Sequence, residues 1–200
     1  MTDAHLGRLV AASLHQAISE ELPLRLDFYE HWLHSEALRD STFGVGPMQA
    51  VLGFLRTEGE AYERVMERAG MLAADWALET FPSMRRRMTG WLPGGMRLRA
   101  GLRTAGAICT VTDRRNTPRV RGAGRVARLE LRSSVFCAVR EYHPTPLCGF
   151  YRALALTTLA HFGLQPAVEV SQCRAMGDPA CVITFSLGAA RPAGEPAAAA

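Results

Sequence analysis

Five cysteines are the residues best equipped for chemistry in this chain, and four of them lie in its C-terminal β-rich part: Cys137, Cys148, Cys173 and Cys181. Cys173 and Cys181 flank a stretch of seven residues, 174–180, short enough for a hairpin to bring the two together. Cys148 follows Pro146 at the start of an amphipathic stretch. A helix N-terminus there would favour its thiolate through exposed amides and the helix dipole. Cys137 falls in or near a strand-like run. Thiolates hold zinc at about 2.3 Å in a tetrahedral shell, so a strand, a helix start and a hairpin could close an all-cysteine site. Such a site has no open position; it stabilises a fold and does not catalyse. The spacing is not that of two C-x2-C pairs, and the other reading is four buried cysteines acting as small apolar side chains. Cys109, in an apolar run, reads as core in either case. An odd number of cysteines fits a disulfide framework poorly.

Other reactive residues form no comparable group. His143 stands near Cys148, but a cysteine nucleophile needs its base in contact. His31 and His34 share a helix face with Glu30, the pattern of a solvated surface. His5, His15 and His161 are scattered. No G-x-G-x-x-G follows a strand, no flavin motif is present and no G-x-x-x-x-G-K-[ST] occurs. No helix-turn-helix motif accompanies the chain's basic residues. A reductase must take hydride from a cofactor, so these residues point to binding rather than catalysis. Trp76, Trp91, Phe150 and Tyr151 are pocket candidates and equally candidates for core, and no individual ligand-binding residue is assigned.

The elements that must position the cysteines follow from periodicity. With 200 residues, 48% hydrophobic and 21% charged, the chain can bury a core and is neither disordered nor collagen-like. No apolar run is long enough to span a membrane. The N-terminus has no basic start followed by a continuous apolar region, so no secretory signal is expected and the cytoplasm is the expected location. Helices are expected over 5–40 with a break at Leu22-Pro23, over the stretch carrying Met48, Val51, Leu52 and Leu55, and over about 60–80. Residues 82–104 read as a helix in two pieces, broken at Leu92-Pro93-Gly94-Gly95. The pattern then changes: 107–112 reads as a β-type run, 113–124 as turn and loop, and 125–131 and 135–141 as alternating runs. A helix over 146–162 precedes two strands, 168–173 and 181–187, joined by a turn that contains Gly177-Asp178-Pro179. The fold class is α+β. The expected organisation is a helical extension at 1–42, a domain at 43–188 and a disordered Ala/Pro tail at 189–200.

The net charge of +4 hides an asymmetry. All basic residues are arginine, and between Arg85 and Arg132 there are 13 of them against Asp113 and Glu130. Such a stretch suits an acidic partner or a carboxylate-bearing ligand; it suits a solvated face equally well.

The stretch Pro146-Leu147-Cys148-Gly149-Phe150-Tyr151, its amphipathic helix, and Cys173-Arg-Ala-Met-Gly-Asp-Pro-Ala-Cys181-Val-Ile-Thr-Phe resemble the ending of the 4-vinyl-reductase domain family. The resemblance covers roughly residues 80–188 and is most specific in the last 45 or so of these. Two positions depart from it: Val170 stands where the family often has Glu, and Ile183 stands at an aromatic-or-apolar position. The resemblance implies three zinc ligands at Cys148, Cys173 and Cys181, with the fourth, an acid or a cysteine, from the preceding strand, where Cys137 falls. It also implies a fold shared with subunits of the TRAPP vesicle-tethering complex, an antiparallel sheet with helices on one face, together with a homodimer and a pocket for a hydrophobic small molecule. One branch of the family consists of stand-alone proteins of bacteriochlorophyll biosynthesis. That branch implies a carrier or accessory factor handing a tetrapyrrole to a separate partner reductase. The alternative is a stand-alone sensory or regulatory module that binds an aromatic or lipid ligand and acts on a protein partner.

Overall fold

The computed structural model describes residues 6–31, 33, 44–79 and 92–188. A helical half comes first. Helix α1 (Arg8–Glu21) ends at Leu22-Pro23, where a 3-10 turn, Pro23–Arg25, leads into the short α2 (Leu26–Glu30). Proline cannot donate to the preceding turn, which accounts for the break. Helix α3 (Val45–Arg56) buries Met48, Val51, Leu52 and Leu55, the stripe its periodicity predicts. Gly59, at φ +61°, turns the chain into α4 (Glu60–Glu79). The expected tail at 189–200 and the expected first helical piece of 82–104, up to residue 91, lie outside the described residues.

Helix α4 lies between α1 and α6 (Gly149–His161). It meets α6 at Gly70, where a Cβ would collide with the Phe150 carbonyl oxygen and sit 3.0 Å from Ala153 Cβ. Gly70→Ala therefore forces two packed helices apart. We expect a loss of about 1–3 kcal/mol on urea denaturation, whereas Gly53→Ala, on an open surface of α3, should cost nothing.

The sheet is antiparallel, in the order β1 (Arg119–Ala123), β2 (Val126–Leu131), β4 (Cys181–Ser186), β3 (Ala167–Gln172). Ala127, Leu129, Leu131, Cys181, Ile183 and Phe185 point inward and are fully buried. Helix α5 (Gly94–Thr112) packs on β1 and β2. The opposite face carries Arg121 opposite Arg128 and Glu169 opposite Thr184. An α+β fold with a helical first part and helices on one face of the sheet is thus what the chain forms.

Three local expectations are corrected. Residues 107–112 are not a strand but the last turns of α5, which buries Leu98, Leu102, Ala105, Cys109 and Thr112 at helical spacing. Residues 113–124 are not all loop: β1 lies within them, an edge strand on which only Val120 is half-buried. Residues 135–141 form no strand; Val135, Phe136 and Cys137 are consecutive and all buried, so this segment enters the core as a loop. Among the described residues the arginine stretch is chiefly a solvated face: Arg103, Arg114, Arg119, Arg125 and Arg128 are exposed. Arg121 and Arg132 reach Glu130 at 3.6 and 3.0 Å, and such exposed pairs contribute little.

Candidate metal centre

Cys137, Cys148, Cys173 and Cys181 converge. Their sulfurs all lie within 4.8 Å of one another, and all four residues are buried. Cys137 Sγ is 3.5 Å from Cys148 Sγ, Cys148 Sγ is 3.3 Å from Cys173 Sγ, and Cys173 Sγ is 3.7 Å from Cys137 Sγ. Four thiolates around zinc at its usual bond length stand about 3.8 Å apart, so little adjustment closes a tetrahedron.

Each sulfur is placed by its local backbone. Cys148 is the N-cap of α6, with the open amides of the first turn beyond it. The hairpin is held by Asp178, whose Oδ2 accepts the Cys173 N–H at 2.8 Å, and by Gly177 at φ +97°, a conformation that glycine alone adopts freely. The turn residues seen in the sequence thus set the separation of Cys173 and Cys181. The loop carrying Cys137 is not a strand. It is pinned by Ser134, whose Oγ accepts the Cys137 N–H at 3.1 Å, and by Asp113, whose Oδ2 accepts the Val135 N–H at 3.2 Å. Arg115 completes that clamp, with Nε 3.0 Å from Asp113 Oδ1. Two backbone amides donate to sulfur: Leu147 N–H to Cys173 and Arg174 N–H to Cys181, at 3.4 and 3.5 Å. Ser134, Asp113 and Asp178 support the site, and the sequence marked neither Ser134 nor Asp113 for that role. Only Asp178 carried a signal, the Gly-Asp-Pro turn.

The thiols divide before any metal binds. Hydrogen bonding with Cys137, then with Cys148 and Cys181, pulls Cys173 far below the ordinary thiol range, and the Leu147 amide adds to this. Hydrogen bonding with Cys137 and then Cys148 likewise pulls Cys181 down. Cys148 is pushed up by hydrogen bonding with Cys137, then with Cys173 and Cys181, and by burial. Metal binding must therefore expel the protons that remain, and low pH opposes it. Zinc affinity should fall as pH is lowered from about 8 to 6, by about tenfold or more per pH unit. Competition against a chromophoric chelator at three pH values measures that slope; a flat profile would remove the thiols from the coordination shell.

The remaining candidates separate from this centre. Cys109 is fully buried on α5 outside the cluster, and burial pushes its thiol up. His143 bonds within its own loop, with Nδ1 2.9 Å from the Thr145 carbonyl, and touches no sulfur among the described residues. His15 lies 3.0 Å from Glu30 and His161 2.9 Å from Asp75, on the surface. His31 is exposed, while His5, His34 and Trp91 lie outside the described residues. Phe150 and Tyr151 are fully buried core residues packed with Phe136, and Trp76 is only partly buried.

No protein-family model and no curated protein matches this chain. Solved structures do match. A point mutant of the Fe(II) unliganded H-NOX protein from K. algicida aligns over 92% of this chain and 97% of its own, with 10% identity and a TM-score of 0.63. An H-NOX protein from S. oneidensis in the Fe(II)NO ligation state aligns over 92% and 99%, with 10% identity and a TM-score of 0.58. The Fe(II)CO form of an S. oneidensis H-NOX domain gives a TM-score of 0.52 with 10% identity. At this identity the likeness is one of fold.

Iron would find a particular donor set here. Among the described residues no histidine is buried, and the one cluster of metal-ligating side chains is the four cysteines. Tetrahedral sulfur ligation suits zinc or iron alike.

Proposed function

We propose that this chain is a small-molecule-binding sensory or regulatory module whose sheet and last helix are tied together by a structural zinc ion on Cys137, Cys148, Cys173 and Cys181. The carrying observation is the convergence of four buried sulfurs from a loop, a helix N-terminus and a hairpin. A closed four-thiolate shell leaves no position for substrate, which argues for a structural ion. The fold supports the binding role: the H-NOX proteins that share it are described with Fe(II), unliganded or carrying NO or CO. The resemblance to the 4-vinyl-reductase domain supports it independently through the motif around Cys148, Cys173 and Cys181. No feature of the fold or of its neighbours favours the bacteriochlorophyll carrier over this broader role.

Native mass spectrometry of the untagged chain, purified without chelator, tests the proposal. We expect one zinc per chain and, from the resemblance, a homodimer. Retained small molecules or a partner enzyme would be read in the same spectrum. A metal-free chain would make the four cysteines apolar core residues. A coloured chain carrying iron on the same sulfurs would replace zinc as the ion.

A further inference from the structure

A second site lies beside the cysteines. A cleft of about 430 Å³ opens between the start of α4, the N-terminus of α6, the loop before it and β3. Its size is that of small-ligand pockets. One wall is apolar, made by Met66, Leu147, Val168 and Val170. The other carries Arg56 and Tyr62, the guanidinium facing the hydroxyl, with Arg56 Nε and the Tyr62 O–H both buried and without an acceptor among the described residues. Tyr62 is only 6% exposed, and burial holds its hydroxyl protonated and hence able to donate. Arg56 is fixed through its other arm, Nη2 donating to the Phe136 carbonyl at 2.9 Å. Orphaned buried donors are costly, and two of them in one cleft call for a shared acceptor. The Tyr62 oxygen can accept from the guanidinium, but Arg56 has no acceptor atom to return, so the Tyr62 proton and Arg56 Nε still lack an acceptor. The remaining charges around the cleft are Arg152, 3.7 Å from Glu67 outside it, and the exposed Glu63.

We propose that this cleft binds a small carboxylate with an apolar or aromatic body, its oxygens on Arg56 Nε and Tyr62 OH and its body against Met66, Leu147, Val168 and Val170. The proposal rests on the small-molecule-module reading and names the ligand class. An arginine paired with a neutral hydroxyl donor recognises a carboxylate without a second full charge.

The probes are benzoate, hexanoate and the neutral benzyl alcohol, titrated calorimetrically into the zinc-replete full chain. We expect both carboxylates to bind and benzyl alcohol to bind at least about tenfold more weakly, since it offers no anion to the guanidinium. Tyr62→Phe should weaken benzoate about tenfold and Arg56→Gln more strongly. Without ligand, Tyr62→Phe should melt close to the parent, because it loses the contact with Arg56 together with the cost of a buried O–H that has no acceptor. Weakened benzoate binding at near-parental stability separates a binding role from a packing role even if Arg56→Gln folds poorly. Equal benzoate binding by the parent and Tyr62→Phe overturns the proposal. So does a loss of zinc affinity in Tyr62→Phe with benzoate binding intact, since Tyr62 would then serve the cysteines beside it. If neither carboxylate binds but benzyl alcohol does, the carboxylate assignment falls and the small-molecule reading stands. If none of the three binds, the proposal falls, and the wider reading then rests on whether a ligand is retained in the native mass spectrum.

Discussion

We expect Cys173→Ser to purify without stoichiometric zinc and to unfold far below the parent chain. The expected loss exceeds about 4 kcal/mol, the range reserved for broken cores and lost metals. Binding at a structural zinc site is folding free energy, because the site does not exist in the unfolded chain. The loss is less than the full binding free energy, since the interlocked α1, α4 and α6 bury their apolar faces independently of the metal. Cys181→Ser behaves in the same way, as it removes a sulfur from the same hairpin. Cys109→Ser keeps its zinc and loses only about 1–3 kcal/mol, the cost of a hydroxyl poorly partnered in the core. Metal analysis of the three purified variants beside their melting curves decides the matter. Equal zinc in all three removes these sulfurs from the shell.

Phe150→Ala carries the second large effect. Its ring stacks on Phe136 at 4.4 Å and meets Tyr151 edge-on at 5.4 Å. Deleting a fully buried phenylalanine costs about 3–5 kcal/mol in transfer energy and cavity. The two stacked rings also flank the proposed metal ligands: Phe136 precedes Cys137, and Phe150 lies two residues after Cys148. The stack therefore locks the loop that carries one ligand to the helix that presents another. We expect Phe150→Ala to keep one zinc per chain yet yield it to a chelator severalfold faster. Phe150→Leu, which fills most of the space, should keep nearly the parental rate. An unchanged rate in Phe150→Ala would uncouple the core from the metal.

The cysteine centre was legible in the sequence because its parts are local. Pro146 ahead of Cys148 marks a helix start, and the Gly-Asp-Pro turn between Cys173 and Cys181 marks a hairpin. The errors share one cause: burial set by packing partners that local pattern does not reveal. The run Ala107–Thr112 looks strand-like through Ile108, Thr110 and Val111. It is helical because Cys109 and Thr112 continue the stripe that Leu98 begins. Strand β1 was invisible because an edge strand with one half-buried residue has no alternation to show. Cys137 reads as in or near a strand because Val135–Glu141 alternates in part. Three consecutive buried residues there mark a loop drawn inward, held by Ser134 and Asp113 from outside the run. The cleft at Arg56 and Tyr62 left no mark at all, since it is formed by residues more than a hundred positions apart in the chain.

The place of α4 between α1 and α6 has a consequence for the order of synthesis. A nascent chain that has passed Glu79 can already lay α1 against α4, but the face around Gly70, Met66 and Ala73 has no cover until α6 has been made. The last cysteine of the proposed metal site, Cys181, arrives later still. A truncated or stalled chain ending before Cys148 thus presents an uncovered apolar helix face and cannot complete a metal site. Such fragments aggregate or engage chaperones, and added zinc does not rescue them.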